Sequence, residues 1–236
     1  MTQMMNEFKL CKEIGDGYSC RVYAAEHQVD KTMVALKVMD LGTSPQLFAH
    51  MQNELTIASR LSHPNILQVL EASTKVVYTG KTGSTKDTKF AYIASEFMLN
   101  GELFDTLKSK GALPLPVVKY YGRQLLSAVH HMHTQGVAHR DIKCENILLD
   151  ADFNLKVIDF GFTSPLECQD GSGFANEFVG TRPYMAPEIV MRRPYQLKFS
   201  DIFAIGVVLF MMYTGSAPFE IADCSDPFYQ LLALNR

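Results

Sequence analysis

Near residue 96 the hydrophobic period of this chain changes, and the change limits its possible folds more than any other property. Ahead of it, residues 8–14, 21–27 and 33–40 are short apolar or β-branched runs separated by Gly, Asp and Lys, the pattern of strands. One helix is expected among them, over residues 46–61, because Leu47, Met51, Leu55, Ala58 and Leu61 recur at helical spacing. Beyond residue 96 the helical period dominates. Val118, Tyr121, Leu125, Val129 and Met132 form one stripe over residues 116–135, and Gly136 closes it. Short strands are expected at 147–149 and 155–158, then an irregular stretch over 161–184, then helix again from Ile202. Strands first and helices second predict an α+β protein of two lobes.

Composition narrows the function classes. The net charge of -3 gives no basic field for nucleic acid or an anionic bilayer, so neither partner is expected. The five cysteines are odd in number and contain no C-x-x-C, which predicts a reducing, cytoplasmic setting. Residues 1–7 have neither a basic nor an apolar stretch, so no signal peptide is expected and they are read as a short tail. The apolar run 202–213 falls short of the ~20 residues that span a bilayer. It predicts a helix buried on all sides. Residues 79–89 are polar with two glycines and read as a mobile surface loop. Gly80-Lys81-Thr82 does not make a phosphate loop, because Lys75 stands where the first glycine is needed.

Two features in the first half suit a nucleotide. Gly15-Asp16-Gly17 lies between two strands, where glycines let backbone N–H groups approach phosphates. Cys20 replaces the third glycine of G-x-G-x-x-G, and no helix follows, which excludes a dinucleotide fold. Val34-Ala35-Leu36-Lys37 is an apolar strand ending in one ammonium, and Glu54 on the next helix can orient it. In the second half, residues 139–146 fit H-R-D-x-x-x-x-N in full. Asp159-Phe160-Gly161 follows, and Ala186-Pro187-Glu188 closes the segment.

These five motifs, in this order, resemble the eukaryotic-type protein kinases from about Phe8 to the chain end. The resemblance implies ATP and Mg²⁺ as cofactors and a protein or peptide carrying Ser or Thr as substrate. Asp141 would take or orient the substrate hydroxyl proton, and Lys143 would neutralise the transferring phosphoryl. Asn146 and Asp159 would hold Mg²⁺. Lys37, held by Glu54, would contact the phosphates, under a loop of Ile14, Gly15 and Gly17. Val22, Ala35 and Leu148 would enclose adenine, and the backbone at Glu96 and Met98 would pair with its edge. Glu102 would meet the ribose, and Ser95 would be a small gatekeeper. The lobes would span residues 8–97 and 98–236.

Lys143 after Arg140-Asp141, and Gly180-Thr181 before the Ala-Pro-Glu motif, resemble Ser/Thr kinases, most of all the calmodulin-dependent and AMP-activated groups. Glu102 and Glu145 match positions that hold an upstream arginine of the substrate. Arg140 would pair with the activation segment, where the usual phosphothreonine position is Glu177, a fixed negative charge. His130, His131 and His133 lie on several helix faces and are not expected to bind metal, and Cys144 is expected to be inert. Alternatives are a kinase-like scaffold, disfavoured because Lys37, Asp141 and Asp159 are all present, and an inactive truncated fragment. Against the kinase pattern 236 residues look short. The expectation is a helical lobe lacking its end, with Glu188 unpartnered and apolar surface on the helix from Ile202 uncovered.

Overall fold

A computed structural model describes residues 3–16, 20–41, 45–58, 60–80, 85–88, 90–168 and 171–233. The chain forms two compact units, one of Met1–Ser62 with Leu67–Met98 and one of His63–Ile66 with Leu99–Arg236. This is the bilobal, sheet-then-helix architecture expected from the change of period.

The first unit is an antiparallel eight-stranded sheet. Its strands are β1 (Met4–Met5), β2 (Phe8–Asp16), β3 (Cys20–His27), β4 (Met33–Asp40), β5 (Val69–Ser73), β6 (Val76–Thr79), β7 (Thr85–Thr88) and β8 (Phe90–Glu96). Their order is β5-β8-β4-β3-β2-β1-β6-β7. Alternation along β4 gives each face a different task. Val34, Leu36 and Val38 pack with Tyr92 and Ala94 of β8 in one core, which also holds Met5, Phe8 and Val76. Ala35 and Lys37 point to the other face, opposite Ser95 and Ile93 in the β4–β8 register. Helix α1 (Pro45–Ala58) follows β4 and ends three residues before the expected Leu61, which is buried beyond it.

Two sequence expectations change here. The stretch expected as a loop is a hairpin, since β6 pairs with β7 from Val76↔Thr88 to Thr79↔Thr85; residues 81–84 and 89 lie outside the described residues. The expected tail is part of the sheet, because Met4 and Met5 pair with both β2 and β6. Asn6 makes the turn at φ 49° and bonds the Lys75 carbonyl and the Tyr92 hydroxyl, while Val77 N donates to its side-chain oxygen at 2.8 Å. Neither feature shows in hydrophobic period, because strands this short carry one or two inward residues each. Met5 is only 2% exposed. Met5→Ala is therefore expected to destabilise this unit by about 2–5 kcal/mol, read as a lower denaturant midpoint. An unchanged midpoint would mean β1 does not pack there.

The second unit is mainly helical. It contains α2 (Leu103–Lys110), α3 (Leu115–Thr134), α4 (Pro187–Val190), α5 (Leu197–Thr214) and α6 (Pro227–Ala233). Short strands β9 (Val137–Ala138), β10 (Ile147–Leu149), β11 (Leu155–Val157) and β12 (Ser164–Pro165) pair as β10–β11 and β9–β12. The stripe expected on α3 is its buried face, with Gly122 and Ala128 added. A Cβ on Gly122 would stand 2.8 Å from Leu209 of α5, so glycine lets the two helices approach. Helix α5 is long and apolar enough to cross a membrane by length and composition. Here one side of it, including Asp201, Ile205, Val208 and Met212, is buried in the unit. The expectation of burial on all sides does not hold, and that of uncovered apolar surface does: Phe199, Ile202, Phe210 and Tyr213 are exposed.

Candidate active site

Each unit holds a group of the expected site residues. In the first, Lys37 Nζ donates to both carboxylate oxygens of Glu54, at 2.7 and 2.9 Å. The pair forms because β4 aims Lys37 to the face opposite the Tyr92 core and α1 follows directly. Val22 lies opposite Lys37 in the β3–β4 register, and Gly15 lies opposite Val22 in the β2–β3 register. Val22, Ala35, Lys37 and Ser95 therefore share one face. Ser95 is buried, and its hydroxyl donates to the Ala35 carbonyl at 3.4 Å. Ile14 is exposed on β2, and Gly17 lies outside the described residues. Glu96 ends β8, where its carboxylate accepts from the Gln68 amide at 2.9 Å; Met98 is buried two residues on.

In the second unit, Asp201 of α5 sets the catalytic loop. Its carboxylate accepts from the backbone N–H of His139 at 2.9 Å and of Arg140 at 2.8 Å, and it meets the His133 ring at 2.8 Å. These bonds hold Arg140 at φ 72°, left-handed backbone that a side chain rarely adopts. The His139 ring is buried, 2.9 Å from the Ile158 carbonyl and edge-on to Phe160. The anchoring by Asp201 and His133 was not anticipated from the sequence. Its one signal was a lone carboxylate inside an otherwise apolar helix.

Asp141 is the centre of this part. Its carboxylate accepts from the Thr181 hydroxyl at 2.8 Å, from Lys143 Nζ at 2.6 Å and from Asn146 Nδ2 at 3.1 Å. Lys143 also donates to the Thr181 oxygen at 3.0 Å. A carboxylate oxygen in hydrogen-bond contact with a hydroxyl is placed to take up a hydroxyl proton. Asn146 Nδ2 bonds the Asp141 backbone too, at 2.9 Å, which turns the amide oxygen the other way. Asn146 thus offers one oxygen, and Asp159, held at φ 66°, offers a carboxylate. One or two such oxygens, completed by phosphates and water, suit Mg²⁺.

Glu102 and Leu148, expected at the nucleotide, are brought together by an antiparallel bridge. Partial burial raises the Glu102 carboxyl above its ordinary value, and the carboxylates of Asp105 and Glu145 add to the shift against Lys143. Glu145 also accepts from the Tyr184 hydroxyl at 3.2 Å. Arg140 reaches Glu177 at 3.1 Å, with its side chain 10% exposed and that of Glu177 60% exposed. Tyr195 donates to the Glu177 carbonyl at 2.9 Å, and its backbone bridges Ala175.

The remaining expectations divide. Burial pushes the Cys144 thiol up to about 12, which suits an inert residue. Among the described residues no group of three or more His, Cys, Asp and Glu side chains could hold a metal ion; His131 stacks on His63. Glu188 has no ion-pair partner among the described residues.

Comparison with known proteins agrees with this geometry. A family model described as protein kinase domain matches residues 8–233. The CBL-interacting serine/threonine-protein kinase 18 of Arabidopsis thaliana is 36% identical over 218 residues, covering 92% of this chain and 39% of its own length. The testis-specific serine/threonine-protein kinase 2 of Mus musculus is 37% identical over 216 residues, covering 89% and 57%. The CBL-interacting protein kinase 5 of Oryza sativa subsp. japonica is 34% identical over 230 residues, covering 97% and 47%. The chain thus spans about two-fifths to three-fifths of these relatives. A matching family model over nearly the whole chain, and a bilobal fold that assembles Lys37 with Glu54 and Asp141 with Lys143 and Thr181, place the chain in the eukaryotic-type serine/threonine protein kinase family.

Proposed function

We propose that this chain transfers the γ-phosphoryl group of ATP to serine or threonine hydroxyls of protein substrates. The observation that carries this reading is the contact of Asp141 with both Lys143 and Thr181. In this reading Asp141 accepts the hydroxyl proton as the oxygen attacks, and Lys143 neutralises charge gathering on the phosphoryl oxygens. Lys37, aligned by Glu54, grips the nucleotide phosphates. Asn146 and Asp159 hold Mg²⁺, which when bound offsets phosphate charge. The buried Ser95 leaves more room than a large side chain and favours access for bulky inhibitors. An odd number of cysteines with no C-x-x-C supports a reducing, cytoplasmic setting. Transfer of labelled phosphate from ATP to a Ser/Thr peptide in Mg²⁺ tests the reading.

An upstream arginine on the substrate is the favoured partner of Glu102 and Glu145. Burial, and then the carboxylates of Asp105 and Glu145, raise the Glu102 carboxyl, and a guanidinium among these groups offsets both effects. Glu177 acts as a fixed substitute for activation-segment phosphate. One carboxylate balances one largely buried guanidinium, and Tyr195 holds the Glu177 backbone in place. Chain expressed without phosphorylation is therefore expected to be active. Glu177→Ala strands the Arg140 charge and should lower kcat by about tenfold, the loss of one partly screened ion pair. Glu177→Asp should retain an intermediate rate. An unchanged kcat in Glu177→Ala would remove Glu177 from regulation.

A further inference from the structure

The segment after Thr181 carries charge opposite to that of the chain. Residues 178–200 hold Arg182, Arg192, Arg193 and Lys198 against Glu188 alone, in a protein of net charge -3. All four cations are exposed, and none has an ion-pair partner among the described residues. Two of them rest on aromatic rings instead. The Arg192 guanidinium carbon is 4.7 Å from the Phe178 ring centroid, and Lys198 Nζ is 5.1 Å from that of Phe199; both rings are exposed. Stacking of this kind orients a cation without neutralising it. Arg192 holds its place at φ 53°, left-handed backbone unusual for a long side chain.

Arg182 and Arg192 are tied to the chemistry through their neighbours. Arg182 directly follows Thr181, whose hydroxyl lies 2.8 Å from the Asp141 carboxylate. Phe178 lies three residues before Thr181 and carries Arg192 on its ring. The acidic set stands on other elements: Glu102 and Asp105 at the start of α2 and Glu145 beside Asn146, whereas Lys198 is on α5 and Arg192 and Arg193 follow α4.

We propose that Arg182, Arg192, Arg193 and Lys198 bind acidic residues of the protein substrate on the C-terminal side of the phosphorylated Ser or Thr. The inference rests on the phosphoryl-transfer reading above. There the acidic set takes the upstream arginine, which leaves the cationic set to the downstream residues. The preferred substrate segment is then dipolar, basic before the acceptor and acidic after it. Such complementarity acts mainly on encounter and binding, so it enters through KM and weakens with salt.

The test uses three peptides sharing one upstream arginine and one serine, followed by acidic, neutral or basic residues. Both kcat/KM and affinity by fluorescence anisotropy are measured. The acidic peptide is expected to exceed the neutral one by about tenfold in both, chiefly through KM, and to lose most of that lead in 0.5 M salt, where screening acts within about 4 Å. A triple variant Arg192→Asn, Arg193→Gln, Lys198→Gln, which keeps Arg182, should remove most of the lead and leave the neutral peptide unchanged. Asparagine is chosen at 192 because it tolerates left-handed backbone. Equal binding of the three peptides, or an undiminished lead in the triple variant, overturns the proposal. The proposal also fails if the triple variant loses binding to phosphatidylserine vesicles while peptide ranking is unchanged, since the surface would then serve a bilayer. Charge-dependent binding without phosphorylation of any peptide would uphold the surface and sink the transfer reading instead.

Discussion

Asp141→Asn is expected to lower kcat by about 10²–10⁴, the range for loss of a general base, with little change in ATP affinity. Asparagine keeps the size of the side chain and an oxygen for the Thr181 hydroxyl, which now sits 2.8 Å away. It removes the charge that Lys143 contacts at 2.6 Å and the site that accepts the proton. The backbone around it is held by Asp201 and not by Asp141, through amide bonds of 2.8 and 2.9 Å. The melting temperature should therefore stay within a few degrees of the parent, for a change of about 1 kcal/mol or less. Steady-state kinetics and a thermal melt on the same preparation separate chemistry from folding. A fall of less than about tenfold in kcat would remove Asp141 from the base role.

The second large effect is expected at Lys37. Lys37→Met keeps the stem of the side chain and deletes the ammonium, leaving the Glu54 carboxylate, 13% exposed, without the donor now at 2.7 Å. The kcat/KM for ATP should fall by about 10²–10³, as when one preorganised donor to a developing charge is removed. Glu54→Gln alone should cost less, because it positions Lys37 and does not touch phosphate. In the Lys37→Met background Glu54→Gln should cost almost nothing further, the mark of two residues acting as one unit. Equal costs of Glu54→Gln in both backgrounds would show that Glu54 acts by another route.

The residues proposed for phosphoryl transfer were legible because that chemistry calls for particular groups at short chain separations. Asp141, Lys143 and Asn146 come from one loop, so spacing alone fixes their company. Lys37 and Glu54 were readable for a related reason, since a strand followed directly by a helix brings them together. The α3 stripe was equally plain, because twenty residues repeat the same helical period. What escaped was non-local or short. Nothing in the sequence pairs Asp201 with amides 61 and 62 positions away. Strand β1 is two residues long and gains its place from Asn6 and from β6, over seventy positions on. The hairpin of β6 and β7 was hidden by its polar composition, because its pairing is backbone to backbone and one face needs no apolar residue. For α5 composition alone promised burial on every side, and composition does not say how many neighbours a helix has; the expectation of uncovered apolar surface on it came only from the kinase pattern.

The measurement that bears most directly on the central claim is phosphate transfer by the phosphatase-treated chain. The chain is incubated with γ-labelled ATP, Mg²⁺ and an arginine-containing Ser/Thr peptide, beside Asp141→Asn, and the labelled residue is located by mass spectrometry. Label on the serine or threonine hydroxyl, dependent on Mg²⁺ and nearly absent with Asp141→Asn, is the predicted result. A folded chain whose melt is shifted by ATP, yet which transfers no more phosphate than Asp141→Asn, would contradict it and mark the chain as a nucleotide-binding scaffold.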